Sequence, residues 1–402
     1  MPSPMTITSN NSASTDTQFL GSTSYLSVFK EAPLEISKSS NRSLYTEFEK
    51  WRTEPAYASA RLVRLISALP FYREQLSWYY RQGRFTIIPA PIVLDSLSRA
   101  QDYQDQNPED GTGNWTSRYE EIVASTKVTL RVTPGMSADE FYPLFTGPNL
   151  RFEFVGFILG LSGMSVQGRY PGDHVLDLGN GERMDVETFT KEMMLASSAC
   201  VEKCQQYGHV NDLTIWMQYM QIVLGTEVLG ETSSSPLPSS GLILLINAIG
   251  EKVYSLFGNF ISNIYAMGLH HQPSQDVPFF LSETRKRMLA VAHRTDKNVS
   301  TLFGRPPRLP HQYCDAALPL DLADEDLFLD TQSLESSLQR LDKDGWNQDG
   351  QFYPATVIRM RQILSTLREQ VLELSLGRGT NSGYGERLLC DLLELETRND
   401  TC

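Results

Sequence analysis

Apolar positions recur every three or four residues along most of the chain, which is the period of one face of an α-helix, and strand-like alternation is rare. The pattern predicts a helix pair over residues 59–81, divided by Pro70, and a helix over 150–164 that is buried on most of its faces. Five more helices are predicted over 185–207, 212–229, 242–269, 281–303 and 354–376. The predicted fold class is therefore all-α, a large multi-helix domain with helices in antiparallel pairs and few or no strands.

Polar side chains at two of these helix starts have the character of N-terminal caps. Asp185 opens an Asp-x-x-Thr pattern before the helix that ends at Gly208, and Asp212 is predicted to cap the next helix. Residues 101–114 are rich in Asp, Gln, Asn and Gly and are predicted to form a solvated loop. Residues 231–241 are rich in serine, include two prolines and are predicted to be a loop or an insert.

These patterns divide the chain into five parts. Residues 1–18 are predicted to be a disordered leader, 19–230 the N-terminal half of one large domain, and 256–376 its C-terminal half. Between the halves, 231–255 is an insert of uncertain status, and 377–402 is a linker with a short tail. One hypothesis is that residues 234–254 are extra sequence, such as a translated intron, which sequencing of the spliced transcript would test.

Composition narrows the class of protein. With 402 residues, of which 41% are hydrophobic, the chain can bury a large core. A net charge of -13 argues against DNA binding by this chain alone, because duplex binding depends on Lys and Arg side chains that neutralise phosphates. Its five cysteines are scattered and odd in number, as expected for reduced thiols in the cytosol or nucleus. The longest apolar run, 241–249, is about half of what a membrane span needs, so no membrane association is expected.

Several groups of side chains are candidate sites, but none is assigned as catalytic or metal-binding. Cys200 and Cys204 share a helical face but have no nearby His or Cys to complete a metal site. His270 and His271 are adjacent and are predicted to end a helix, where a cationic His suits the dipole. The acidic residues between Asp321 and Asp330 are interpreted as a solvated loop. No hydrolase elbow, phosphate-binding loop, dinucleotide fingerprint or HExxH helix occurs, so no enzyme activity is predicted.

The most informative segment is 259–327. Its apolar helix ends in Ala-x-Gly-Leu-His, the next helix carries an acid before an Arg-Lys-Arg triplet, and an Asp then leads to a Gly-Arg-Pro turn and a Leu-Pro pair. The residues of these motifs are Gly268, Leu269, His270, Glu283, Arg285, Arg287, Asp296, Gly304, Arg305, Pro306, Leu318 and Pro319. Glu283 and Arg287 are expected to form a helical ion pair. Arg287 or Arg294 is expected to pair with Asp296, or with another buried acid, and so hold the Gly-Arg-Pro turn.

This order of motifs resembles the middle regulatory domain of fungal binuclear-zinc-cluster transcription factors. The resemblance implies a nuclear regulator of transcription by RNA polymerase II, acting through ligand response, masking or partner contacts. It implies protein partners, as a homodimer or as a heterodimer with related factors, and it is compatible with a small-molecule effector. In this family the twelve residues above form a structural signature and not a catalytic loop.

The family's DNA-binding module, a six-cysteine cluster that holds two zinc ions, has no counterpart among these residues, where Cys200 is the first cysteine. No cofactor is therefore expected in this chain, with zinc confined to the missing cluster. DNA would be reached only through a missing or a partner's zinc cluster. Two interpretations stay open: a regulatory domain separated from its zinc cluster, or a stand-alone interaction protein that modulates a related factor. An all-α enzyme is a third, disfavoured by the motif census.

Overall fold

The computed structural model describes residues 50–376 except 52, 84–85, 108–114, 168, 171–173, 208, 235–253 and 272–275. Within these ranges the prediction of an all-α fold is confirmed. The helices are α1 Pro55–Ile66, α2 Leu69–Arg81, α3 Ala90–Gln106, α4 Trp115–Lys127, α5 Ala138–Phe141, α6 Phe152–Val166, α7 Val186–Tyr207, α8 Asp212–Ser234, α9 254–266, α10 Phe279–Phe303, α11 Thr331–Leu338 and α12 Pro354–Leu376. Two strands, β1 Val175–Asp177 and β2 Arg183–Asp185, form one small antiparallel sheet.

Helix α6 lies at the centre of the core. Every residue of α6 except Met164 is buried, as its almost continuous apolar sequence predicts. Its one acid, Glu153, accepts hydrogen bonds from the guanidinium of Arg151 at 3.0 and 3.3 Å, so the charge is paired inside the core. Three glycines of α6 face α7 and α8, which lets the three helices pack closely.

The glycine contacts also give the directions of these helices. Gly156 meets Cys200 of α7 and Met217 of α8, whereas Gly163, two turns later, meets Met193 and Leu224. Helix α7 is therefore antiparallel to α6, and α8 runs in the same direction as α6. Helices α7 and α8 are therefore antiparallel, in agreement with the predicted packing in antiparallel pairs. Helices α10 and α12 form a further packed pair.

The N-terminal caps divide into one correct prediction and one wrong one. Asp185 accepts the Thr188 N–H at 2.8 Å and caps α7 as predicted. Asp212 does not cap α8, because the side chain of Asn211 accepts the Thr214 N–H at 3.0 Å instead. The sequence alone did not separate two neighbouring polar residues, and the Asp212 carboxylate forms an ion pair elsewhere in the fold.

The predicted loop over residues 101–114 is wrong in its first half, because α3 continues to Gln106. Tertiary contacts override the polar composition there. The Gln104 amide donates to the Ser67 carbonyl at 3.2 Å, and the Tyr103 ring stacks against Arg118. Residues 108–114 of that loop, and residues 235–253 of the insert predicted over 231–255, lie outside the described residues. The described ends of this predicted insert are helical, because α8 continues to Ser234 and α9 begins at 254. Helices α3, α4, α5 and α11 and the small sheet were not predicted.

The close packing of α6 predicts that Gly156→Ala destabilises the fold. A Cβ at this position would lie 2.7 Å from the Cβ of Cys200 and 2.6 Å from the sulfur of Met217. Overpacking of this kind costs about 1–3 kcal/mol, more than the roughly 1 kcal/mol that alanine gains in helix propensity. A lower urea midpoint would report it. The control is Gly135→Ala, where the new Cβ meets nothing within 4 Å and no change is expected.

Candidate functional site

The signature residues lie on α10, at the end of α9 and in the segments that follow α10. Gly268 ends α9 with φ at 67°, a left-handed conformation that glycine adopts without strain. The next residue, Leu269, is buried. The carbonyl of His270 accepts the N–H groups of Asp315 and Ala316, so this helix end is joined to the segment after α10. The signature is thus gathered around one helix.

The predicted cationic character of His270 is not supported. Partial burial and the adjacent imidazole of His271 lower the pKa of His270, and the opposing effect of Asp315 is smaller. The His270 ring packs edge-on against Tyr265, with 4.7 Å between the ring centres. His270 therefore ends the helix as a neutral packing group, while His271 contacts the Asp315 carboxylate at 3.1 Å.

The basic triplet of α10 is paired internally, although not as predicted. Arg285 forms a two-bond ion pair with Asp212 at 2.7 and 2.8 Å, which joins α10 to the first residue of α8. Lys286 donates to Glu283 at 2.6 Å. The predicted Glu283–Arg287 pair is wrong, since the second oxygen of Glu283 accepts the Leu320 N–H at 2.7 Å.

Arg287 is fully buried and reaches a carboxylate distant in sequence. Its guanidinium donates to Asp324 at 2.5 Å and to the Leu322 carbonyl at 3.3 Å. The other oxygen of Asp324 accepts the Ala90 N–H at 3.0 Å, at the start of α3. One ion pair therefore joins α10 to both α3 and the 322–324 segment. Because its two charges are buried together, removal of either one would leave the other uncompensated.

Asp296 and Lys297 form the second buried cluster of α10. The two carboxylate oxygens of Asp296 accept the N–H groups of Arg308 and Leu309, each at 2.9 Å. The ammonium of Lys297 contacts Asp296 at 3.0 Å, the Leu309 carbonyl at 2.6 Å and Glu369 of α12 at 3.0 Å. Of the expected pairings, Arg287 does bind a buried acid, Asp324, whereas Asp296 is neutralised by the neighbouring Lys297 and not by an arginine.

The Gly-Arg-Pro turn follows directly from the end of α10. Gly304 has φ at 63°, and the Arg305 N–H donates to the Ser300 carbonyl at 3.1 Å. The guanidinium of Arg305 lies over the Tyr254 ring of α9, at 4.3 Å from its centre. Pro306 is exposed. The turn therefore brings the chain back so that the N–H groups of Arg308 and Leu309 reach Asp296.

Glu369 and His293 complete this cluster on the side of α12. Glu369 accepts the His311 N–H at 2.8 Å and contacts the Nε2 atom of His293 at 2.9 Å. Burial raises the pKa of Glu369, but His293, Lys297 and the His311 N–H outweigh burial and lower that pKa to about 2. Burial lowers the pKa of His293 in spite of the carboxylate. The pair is thus an ionised carboxylate with a neutral imidazole.

The interpretation of the acidic run as a solvated loop is wrong for its two buried members. Asp321 accepts hydrogen bonds from Asn347 and Thr356, each at 2.6 Å, and Asp324 binds Arg287. Arg359 of α12 donates to the carbonyl of the signature residue Pro319, and its guanidinium lies 4.3 Å from the centre of the Trp346 ring. Sequence analysis missed the roles of Asp321, Asp324, Arg359 and Glu369, because their partners lie 35 to 76 residues away. It also missed Lys297, which contacts its neighbour Asp296 but is held by Leu309, twelve residues on, and by Glu369 of α12.

An apolar cavity of about 80 Å³ lies beside α10, the helix that carries Glu283, Arg285, Arg287 and Asp296 of the signature. It is lined by α6, α8, α2, residues 86–88 and Met288 of α10. Tyr80 at its wall donates to the Ile88 carbonyl at 2.9 Å, and burial raises the pKa of Tyr80 well above its usual value. Since Met288 directly follows Arg287 in the chain, the cavity wall and the buried ion pair share one helix turn.

Other kinds of site find less support. In the part of the chain that the structure describes, no three His, Cys, Asp or Glu side chains converge so as to hold a metal ion. Cys200 and Cys204 are buried thiols beside α6, and burial raises the pKa of both. Within the described ranges, every helix falls short of the length and apolar content that a membrane span requires.

Fold and site together define an all-α domain in which the charged helix α10 is joined to its neighbours by buried ion pairs. A comparison with family models matches residues 235–373 to the fungal specific transcription factor domain. The predicted family resemblance is confirmed over this range, about a third of the chain, which includes α9 to α11 and most of α12. No curated protein and no solved structure matches the chain. The matched family consists of transcription regulators and not of enzymes, and it supports a general role in transcription regulation.

The cluster around Asp296 predicts a large effect of Asp296→Asn. The amide can replace only one of the two acceptor oxygens, and Lys297 would lose its adjacent charge, so the free energy of unfolding should fall by about 3 kcal/mol. Urea denaturation followed by circular dichroism measures it. Asp315→Asn is the matched control, because Asp315 is exposed and its pair with His271 contributes less than about 1 kcal/mol. Equal effects of the two substitutions would contradict this account.

Proposed function

We propose that the chain is the regulatory domain of a fungal zinc-cluster-type transcription factor and controls transcription by RNA polymerase II. The observation that carries the proposal is the family match over residues 235–373, the range that holds α10 and its buried partners Asp324 and Glu369. Regulation through ligand response, masking or partner contacts would take place in the nucleus. With a net charge of -13, the chain would reach DNA through a zinc cluster outside these residues or through a partner's cluster.

The packing around α10 favours control through small movements of this helix. Met288 forms part of the wall of the apolar cavity, and its neighbour Arg287 binds Asp324. A molecule or side chain that filled the cavity would push on the same turn that fixes the 322–324 segment. Closely packed interiors transmit such strain because they have few voids to absorb it.

The proposal predicts that the chain changes the output of an activator to which it is fused. The whole chain would be placed between a heterologous DNA-binding domain and a constitutive activation segment, and transcription of an RNA polymerase II reporter measured. Masking lowers the output relative to the fusion without the chain. Met288→Trp, which crowds the cavity wall, should alter the output, whereas Val128→Trp on the surface should not. Equal output with and without the chain, at matched protein levels, would reject the regulatory role.

One surface favours the alternative, an interaction protein that modulates a related factor. The outer side of α12 exposes Met360, Leu364, Val371 and Leu374, which are 38 to 61% accessible. Together with Leu367 they follow the alternating spacing of four and three residues that characterises the seam of a coiled coil. The inner side of the same helix is buried against the domain. An exposed stripe with this spacing is suited to a partner helix.

Charge indicates which kind of helix fits this stripe. Arg361 and Arg368 are seven residues apart and lie on the same edge of α12. Arg368 also contacts Asn298 of α10, which lies one helical turn after Arg294, so a third arginine is near this edge. If a second copy of α12 packed antiparallel on the stripe, its arginines would face these arginines and repel them. We therefore take the occupant to be an acidic amphipathic helix of a partner protein.

Two synthetic helices test this alternative. Both would carry leucines at the seam, one with flanking glutamates and the other with flanking lysines, and their binding to the whole chain would be measured by fluorescence anisotropy. The glutamate helix should bind at least tenfold more tightly, and Leu364→Glu should abolish its binding. Light scattering measures whether the chain alone forms a dimer. A stable dimer that is lost on Leu364→Glu would contradict the proposal, because a second copy of the chain would then occupy the stripe.

A further inference from the structure

A second cleft, of about 330 Å³, lies between α10, α12 and the segment 311–318. It is separate from the apolar cavity, with which it shares no lining residue. Leu289 of α10, the signature residue Leu318, and Ile363 and Leu367 of α12 give it apolar walls. Such walls favour a ligand with an apolar body, because burial of apolar surface is the main source of its binding free energy.

His293 also lines the cleft, and only one of its two ring nitrogens has a hydrogen-bond partner. His293 is 1% exposed, and its Nε2 atom lies 2.9 Å from the Glu369 carboxylate. The carboxylate can only accept, so Nε2 carries the hydrogen, and in the neutral ring the Nδ1 atom is left with a free lone pair. This Nδ1 atom is buried and has no hydrogen-bond partner.

A second acceptor in the cleft is in the same state. The Oε1 atom of Gln362 is buried without a hydrogen-bond partner, and Gln362, like His293, is among the residues that line the cleft. Buried polar atoms are normally paired, and one left unpaired costs about 1–3 kcal/mol. Two unpaired acceptors in one apolar cleft favour a ligand that brings hydrogen-bond donors.

We infer that this cleft binds a small, neutral, largely apolar molecule that donates an N–H or O–H hydrogen bond to His293 or Gln362. A cation is disfavoured because Lys297 contacts the same Glu369 carboxylate that holds His293. An acid is disfavoured because both free groups are acceptors. The binding itself depends only on these residues, whereas a role as effector rests on the proposed function.

A series of polar contacts leads from the cleft to the Gly-Arg-Pro turn. His293 contacts Glu369, Glu369 contacts Lys297, and Lys297 contacts Asp296, whose carboxylate holds the N–H groups of two residues after the turn. A donor placed on Nδ1 would polarise the imidazole and so act on this chain of contacts. Binding of a ligand in the cleft would thus alter the contacts of Asp296 near the end of α10.

Indole and 1-methylindole are the matched probes for this inference. They share one apolar shape, and only indole has an N–H donor. Ligand-observed NMR with the whole chain should show saturable indole binding, and 1-methylindole should bind about fivefold to tenfold more weakly, the factor expected for one net hydrogen bond. Equal affinities would overturn the inference, because the free acceptors would then have no part in recognition.

Two neighbouring substitutions locate the binding. Ile363→Trp fills the cleft from the exposed side of α12 and should abolish indole binding, whereas Leu364→Trp, on the next residue and outside the cleft, should leave the affinity unchanged. Both positions are at least 40% exposed, so both variants should keep the wild-type melting temperature. Indole binding that persists in Ile363→Trp would place it elsewhere and refute the site. These measurements need no reporter, so failure of the transcriptional proposal would leave their outcome intact.

Discussion

The structure depends on the requirement that charges buried in helix α10 be paired. Arg287, Asp296 and Lys297 are each at most 1% exposed, and an unpaired charge at such a position would cost several kcal/mol. Each therefore binds a group from another part of the chain: Arg287 reaches Asp324, Asp296 holds the backbone after the Gly304 turn, and Lys297 reaches α12. Because these bonds are directional, they fix the positions of segments that apolar packing alone would leave less defined.

This arrangement places α10 between two cavities of different chemistry. Met288 faces the apolar cavity beside α6 and α8, and the residue after it, Leu289, together with His293, faces the cleft beside α12. The residues between the polar contacts are therefore the ones that a bound molecule would touch. The unfilled space on two sides of α10 leaves room for a small displacement of this helix.

Much of the fold could be predicted from the sequence, because several helices carry their period in their own residues. The continuous apolar run of α6, the division at Pro70 and the bounds of α12 at Pro354 and Leu376 are all local features. Helix α3 shows the limit: its polar last turn is stabilised by contacts with the Ser67 carbonyl and Arg118, which local composition does not reveal. The motif residues were recognised as a set, but their partners were not.

The sequence by itself determined the all-α class, the order of the main helices and the resemblance to the fungal specific transcription factor domain. Only the tertiary structure decided which charges are buried and with which groups they pair. In the structure Asp321 and Asp324, which the sequence placed in a solvated loop, are buried partners of Asn347 and Arg287. Two hydrogen-bond acceptors of one cleft, on His293 and Gln362, have no donor. The reason is physical: helical period is a local property, whereas an ion pair forms where two distant stretches of backbone meet.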